Sequence, residues 1–435
     1  MTAPGRSAQR TLKRILGDET ASETARRLSP RLPADAPLPP ALPPPTDFSA
    51  QALGARQALL ERLGLSTREL GPEGGPIAPE TLAGNTENFV GVARVPIGVA
   101  GPLRINGTCA HGDFYVPLAT TEGALVASYH RGAHVISESG GAAVICTTES
   151  VARAPVFVFE TLAQAGLFLA WVLPRMESLQ EAVAATSRHC ELTDLKPSLI
   201  GREVYLLLEF TTGDAAGQNM VTFAAEAVAE RLLESSPVKP CRWYVEANMS
   251  GDKKATVGTF AFARGKKVVA EVIVPQQVLK RLVHATPQQM TEYWQLSMLG
   301  AIQSGAIGMQ GQYANALAAL FIACGQDVAC VSEASVGLTR MDVTGAGDLY
   351  VSVVLPNLIV GTVGGGTGLP TARACLELLG CYGEGRARKL AEIVAATVLG
   401  GEISITAALS SGTFSRAHAV YGRRQRKKAG DRGRG

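Results

Sequence analysis

Glu122 stands in the run Pro117-Leu118-Ala119-Thr120-Thr121-Glu122-Gly123-Ala124-Leu125-Val126, one carboxylate among small and apolar residues. If those neighbours exclude water, the carboxyl holds its proton more tightly and can donate it near neutrality. The same position also suits an acid in the first turn of a helix that starts near the threonines, where it complements the helix dipole. Lys253 and Lys254 lie in the tight polar loop Ser250-Gly251-Asp252-Lys253-Lys254-Ala255-Thr256. Such a pair is usually solvated, but one ammonium buried beside carboxylates can polarise a carbonyl oxygen. Asp327 follows Gly325-Gln326 after a long apolar helical pattern that includes Asn315, a place for a C-terminal turn. Ser187-Arg188 offers a hydroxyl and a guanidinium side by side, a grip for a phosphate monoester or simply an exposed pair. Glu87-Asn88 opens a Gly- and Pro-punctuated segment, either within reach of a ligand or capping a turn. His418, alone near the C-terminus, carries no reading by itself.

Two glycine-rich turns are placed to serve those groups. Gly213-Asp214-Ala215-Ala216-Gly217-Gln218-Asn219-Met220 joins an alternating strand, Glu203–Thr211, to a helix running to about 234. A strand, a glycine turn and a helix N-terminus together favour an anion, because free N–H groups and the helix dipole point at it. Gly361-Thr362-Val363-Gly364-Gly365-Gly366-Thr367-Gly368 lets backbone approach a phosphate or a ring, but lacks the Lys of a P-loop. Residues 95–103 read as two short strands with rigid turns. A strand Val156–Phe159, a helix around Leu162–Leu173 and a strand Lys267–Val274 are expected. So are helices over 286–322, strands at Val331–Leu338 and Leu349–Leu355, a helix near Ala387–Leu399 and a separate segment Ile403–Ser411. Met1 to Asp47 is rich in Pro, Ala and Arg and reads as a disordered or polyproline leader. Ser49 caps a helical pattern in a small region 48–86 that docks on the body or on a neighbouring subunit. The texture changes at Arg153, and 154–249 reads as a compact insert; 422–435 is a solvated basic tail.

The length of 435 residues suggests roughly two or three domains. A net charge of +3 is too small to argue for nucleic acid. The eight Cys are scattered without a CxxC pair, which points to reduced thiols and a cytoplasmic compartment. With six His and no Cys/His cluster, no metal site is expected. No apolar run reads as membrane-spanning and no signal peptide is expected.

In order along the chain, Glu87-Asn88-Phe89-Val90-Gly91, the 95–103 run, Ala119-Thr120-Thr121-Glu122-Gly123, Thr186-Ser187-Arg188, the 213–220 turn, Ser250–Lys254, Cys324-Gly325-Gln326-Asp327 and the 361–368 turn resemble 3-hydroxy-3-methylglutaryl-CoA (HMG-CoA) reductase. The resemblance covers about 87 to 418. It implies an α+β fold with a large CoA- and substrate-binding catalytic domain (87–153 and 250–421), an inserted α+β dinucleotide-binding domain (154–249) and a small N-terminal helical region. It implies catalytic Glu122, Lys253, Asp327 and His418, with Asp327 keeping Lys253 charged and lying close enough to Glu122 to raise its pKa. Substrate contacts would come from Glu87, Asn88, Arg131, Arg153, Ser250, Asp252, Lys254 and Asn315. NADPH would meet Asp214, Gly217, Asn219, Gly364, Gly365, Gly366 and Thr367, with Ser187 and Arg188 on its 2′-phosphate. The implied reaction is the two-step reduction of (S)-HMG-CoA to (R)-mevalonate and CoA in isoprenoid biosynthesis. The implied protein is a free enzyme without a membrane anchor, at least a homodimer, with the Lys loop reaching into the partner's site.

Some positions depart from the pattern. The Ser250–Lys254 loop is shorter than in animal members, Gln312 and Thr413 stand where other members have His, and Arg424 replaces a regulatory Ser. Two rival readings exist. Asp342-Val343-Thr344-Gly345-Ala346-Gly347-Asp348 is close to the signature of ribokinase-like sugar kinases, although the following residues look like a strand where those enzymes have a helix. The other is a CoA- or nucleotide-binding regulator without catalysis, against which the complete Glu/Lys/Asp/His set argues.

Overall fold

The structure, a computed structural model, describes residues 5–44, 47, 49–64, 85, 92–262 and 264–412. Glu87, Asn88, Thr413, His418, Arg424 and the 422–435 tail lie outside the described residues.

Two hydrophobic cores share one long strand. The chain opens with helices α1 (Arg6–Leu16), α2 (Ala21–Leu28) and α3 (Ala50–Arg62). Strands β1 (Ile97–Gly107) and β2 (His111–Ala119) form an antiparallel pair, helix α4 (Leu125–Glu138) follows, and β3 (Ala142–Arg153) runs on from it. The first half of β3 pairs with β1 and with the later strand β8 (Gly265–Val274); its end pairs with β6 (Glu203–Thr211). Between those halves the chain builds β4 (Val156–Val158), α5 (Leu162–Val172), α6 (Met176–Ala184), β5 (Glu191–Ile200), β6, α7 (Gln218–Ser235) and β7 (Arg242–Tyr244). These elements bury their own core, including Phe157, Phe168, Leu206, Phe210, Val221 and Val228. After β8 come α8 (Gln276–Leu282), α9 (Pro287–Ser304), α10 (Tyr313–Ala323), α11 (Val331–Ala334), β9 (Leu338–Val343), β10 (Leu349–Leu358), α12 (Pro370–Leu378) and α13 (Ala387–Ser410). The strand order is β7-β4-β6-β3-β8-β10-β9, with β1 beside β3, β2 beside β1 and β5 beside β6.

The N-terminal 1–47 stretch is not a disordered leader over its described residues. It carries α1 and α2, the second closed by a capping box between Thr20 and Glu23. Arg104, 1 % exposed, donates to the carbonyls of Arg31 and Ala36, and Arg31 donates back to Asn106 at 2.7 Å. Leu42 joins Leu59 and Tyr115 in a small cluster. The buried guanidinium on β1 captures carbonyls of 31–37, while Arg14 and Arg27 on α1 and α2 donate to the carbonyls of Glu149 and Thr108, long-range pairing that composition does not register. Ser49 does cap α3, which docks on the body through Leu59 and Leu60.

Four further expectations change. Within 95–103 there is one strand, β1, which begins at Ile97 and whose register with β2 shifts between Ala100 and Leu103. Val331–Leu338 is not a strand: α11 occupies its start and β9 begins at Leu338. The two segments at 387–411 are one helix, α13, despite Gly400-Gly401 within it. That helix is 24 residues long and apolar enough to cross a membrane, against the expectation that no such run exists. Most of it is buried inside the fold, so its apolar surface is a core surface. The Asp342–Asp348 motif is the hairpin between β9 and β10, with Thr344 N donating to Asp348 O and the Asp348 carboxylate capping Gln276. A helix does not follow it, which removes the context a sugar-kinase reading needs.

Candidate active site

Helix α10 organises the site from below. It packs on β2 and α13 and ends at Ala323. Gly325 then turns at φ +63°, and a Cβ there would meet Gly366 O at 2.3 Å. Only glycine lets the two loops touch, so the turn carrying Asp327 lies directly against the 361–368 loop. Gln326 Oε1 accepts from Gly361 N at 2.8 Å and secures the same contact.

Lys253 Nζ donates to Asp327 Oδ2 at 2.8 Å. Lys254 Nζ instead folds back on the carbonyl of Asp252 at 2.9 Å, so of the two lysines it is Lys253 whose ammonium meets this carboxylate. Lys253 sits at φ +55°, an uncommon conformation for a side chain with a Cβ. Its proton is held above the usual lysine range, chiefly by the hydrogen bond to Asp327 and against some desolvation. Burial pushes Asp327 up, but Lys253, the Ala329 amide and Gln218 outweigh it and hold the carboxyl below its ordinary value. The pair is 41 % and 38 % exposed, so the expectation of a buried ammonium is not met in the single chain.

Glu122 is exposed in the turn before α4, not in its first turn: the helix starts at Leu125 after Ala124 at φ +70°. Thr120 Oγ1 accepts from Glu122 N at 3.0 Å and shapes that turn. The carboxylate's partner is Asn315 on the first turn of α10, Nδ2 to Oε2 at 2.7 Å. The expectation sets Asp327 close to Glu122; the hydrogen bond to Glu122 comes from Asn315 at the start of α10, and Asp327 follows the end of that helix. The Glu122 side chain is thus exposed beside Asn315.

The dinucleotide candidates form a second group. Ala215 bridges Val363 in parallel register, which sets the two glycine turns side by side. Gly217 is the N-cap of α7 at φ +75°, and Asn219 is exposed on its first turn. Gly364 and Gly365 have φ of +73° and +53° with open space where a Cβ would stand. Bare backbone beside a helix N-terminus fits a pyrophosphate. Thr367 is buried and donates to Gly364 O at 2.7 Å, shaping that loop from within. The Asp214 carboxylate accepts from Gly385 N and Ala387 N at 2.6 and 2.9 Å, tying the turn to the start of α13. Arg188 is exposed beyond α6, its Nε on His189 Nε2 at 3.0 Å, and Ser187 Oγ accepts from His189 N at 3.1 Å.

The substrate candidates are mostly engaged with protein. Arg153, 7 % exposed, donates to the carboxylate of Asp252, to Thr222 at 2.9 Å and to Gln218 O at 3.2 Å. Ser250 is buried and donates to Glu246 at 2.7 Å. Arg131 donates to Ser404 on α13. Residues that sequence reasoning missed lie beneath the Lys loop: Arg264, Glu333, Gln218 and Asn357. Arg264, Glu333 and Asn357 are buried, and the bonding of all four arises from long-range pairing, for which periodicity is no signal.

A family model described as hydroxymethylglutaryl-coenzyme A reductase matches residues 52–423. A 3-hydroxy-3-methylglutaryl-coenzyme A reductase of Pyrococcus abyssi is 43 % identical over 378 residues, 85 % of this chain and 91 % of that protein. The protein of the same name from Aeropyrum pernix is 44 % identical over 350 residues, covering 79 % and 83 %. Among solved structures, the class II 3-hydroxy-3-methylglutaryl-CoA reductase of Streptococcus pneumoniae bound to NADPH superposes with a TM-score of 0.67 at 20 % identity, over 83 % of this chain and 97 % of that one. At that identity the likeness speaks for the fold.

Proposed function

The chain belongs to the hydroxymethylglutaryl-coenzyme A reductase family, and from that premise we propose that its convergent loops reduce the thioester of HMG-CoA twice with NADPH, giving mevalonate and free CoA. The observation that carries the site assignment is the Lys253–Asp327 ion pair, set against the glycine loop through Gly325 and Gly366.

Gly217, Asn219 and the 364–367 loop would hold NADPH, which when bound would supply the hydride. Each reduction builds negative charge on the former carbonyl oxygen. Lys253 stabilises that charge as a fixed ammonium, and Asp327 keeps it protonated. Glu122, oriented by Asn315, delivers a proton to the oxygen. Between the steps a hemithioacetal collapses and expels CoA thiolate, which needs a proton; His418 has the pKa for that. Arg153, Ser250 and Asp252 act mainly by holding the Lys loop, while Lys254 and Asn315 remain open to substrate contact.

Two observations support a homo-oligomer with shared sites. The catalytic groups are half open in one chain, and α9 exposes Leu296, Leu299 and Ile302 along one face at 61–70 %. That row is suited to a second copy. Eight free thiols support a reducing, cytoplasmic setting.

The test is NADPH oxidation with HMG-CoA while CoA thiol is titrated in the same sample, with NADH in parallel. Two NADPH consumed per thiol released is the expected result. No oxidation by folded protein with either cofactor would leave a CoA- or nucleotide-binding protein without catalysis.

A further inference from the structure

Both ends of the Lys253–Asp327 pair are held by groups to which the reaction scheme gives no part. The Lys253 amide donates to Glu333 Oε1 at 3.1 Å. Glu333 is 0 % exposed, and its other oxygen accepts from Arg264 Nε and Asn357 Nδ2, each at 2.9 Å. Arg264, 1 % exposed, also donates to Ala152 O at 3.0 Å, to the Asp252 carboxylate and to Gln218 Oε1 at 3.3 Å. Gln218 turns its amide nitrogen to Asp327 Oδ2 at 3.1 Å and to Cys330 Sγ at 3.0 Å. Hydrogen bonds therefore close a ring: Lys253 backbone, Glu333, Arg264, Gln218, Asp327 and back to the Lys253 ammonium.

We infer that Glu333, Arg264 and Gln218 are positioning residues that fix the Lys253 ammonium and the Asp327 carboxylate relative to each other. Gln218 is also the first residue of α7, so the ring couples the pair to the helix whose N-terminus faces the dinucleotide site. The inference rests on the reading of Lys253 and Asp327 as the catalytic pair. Its structural rival is a buried Arg–Glu pair present only for the fold. A buried ion pair is weak evidence of stability on its own, whereas a left-handed lysine pinned by that pair is a specific placement. The charged and titratable groups facing Lys253 and Asp327 are Asp252, Cys330, Glu333 and Arg264, with Arg153 behind Asp252.

Gln218→Met tests this, because it keeps the side chain's length, removes the side chain's hydrogen bonds to Asp327, Cys330 and Arg264, and leaves Arg264 paired with Glu333 and Asp252. With the full-length protein, kcat should fall roughly tenfold, the rate equivalent of one hydrogen bond to a charged group. KM for HMG-CoA and NADPH should stay within about twofold, since the change acts on the transition state. With Asp327 less well held, Lys253 loses support for its charge, so the basic limb of the kcat–pH profile should move to lower pH. Unchanged kcat with an unmoved limb overturns the inference. A fall in thermal midpoint with wild-type kinetics also overturns it, as that is what a structural role predicts. Lys253→Met is run alongside: if it keeps turnover, the catalytic reading itself fails; if it is inactive while Gln218→Met is wild-type, only the ring's role fails.

Discussion

Lys253 and Asp327 support each other's charge, and each shift has the direction that preserves the pair. With both partners about two-fifths exposed, the ion pair adds under about 1 kcal/mol to stability, so its worth lies in chemistry. Asp327→Asn should lower kcat by roughly 10²-fold or more. The sign of its pH effect is set by Lys253. In the proposed role the lysine acts protonated, so activity would be lost as pH rises through its pKa, and removing the carboxylate that raises that pKa would lower it. The basic limb should therefore move to lower pH, measured as kcat across the alkaline range. Glu122→Gln should abolish turnover while NADPH binding, followed by fluorescence, persists. His418→Gln should spare reduction of free mevaldehyde and impair reduction of the thioester; equal loss in both would remove the thiolate-protonation role.

At the scale of elements, the site depends on how closely α4, α10 and α13 approach. Gly132 on α4 faces Gly400 on α13, and a Cβ at 132 would stand 1.9 Å from Gly400 O. Gly401 lies under the Tyr129 ring, whose hydroxyl donates to Gln312 O at 2.6 Å beside α10. Gly132→Ala should push α4 off α13 and lower stability by about 3 kcal/mol or more, at the high end of overpacking. Gly166→Ala, inside α5 with nothing within 4 Å of the new Cβ, should instead be neutral or stabilise by up to about 1 kcal/mol. Thermal unfolding of the two variants separates the close crossing from helix propensity. Asp214 shows the same dependence of site on element: it joins the 213–217 turn to the N-terminus of α13, so turn and helix move together.

For the whole molecule, β3 is shared by the two cores, and the two glycine-rich turns come one from each side of it. The 213–217 and 361–368 turns meet at the Ala215–Val363 bridge, where the proposed reading would seat the cofactor. Arg188, at the exposed edge of the insert, should set cofactor choice. Arg188→Ala should raise KM for NADPH and leave KM for NADH nearly unchanged, because a lost guanidinium matters only to a phosphate. On the opposite scale of contact, Leu299→Glu on α9 should shift the mass in solution toward the monomer and lower activity, as read by light scattering and assay on the same fractions. A monomeric wild-type enzyme with full activity would remove the shared-site reading.

Local chemistry was legible from the chain alone. Ser49 as a cap, β6 over Glu203–Thr211, the helix after Gly217 and the ordered set of motifs depend on neighbours a few residues away, and sequence displays those directly. The same locality made Glu122, Lys253 and Asp327 visible as candidates. Tertiary structure decided the rest. It ordered 31–37 through carbonyls caught by Arg104, merged 387–410 into one buried helix across two glycines, and turned Asp214 and Arg153 toward protein partners. It chose Lys253 over Lys254 as the partner of Asp327 and closed a ring through Arg264 and Glu333. Those outcomes follow from desolvation and pairing between residues tens to hundreds of positions apart. A buried charge must find its partner wherever the fold brings one, and that meeting is a property of the packed molecule.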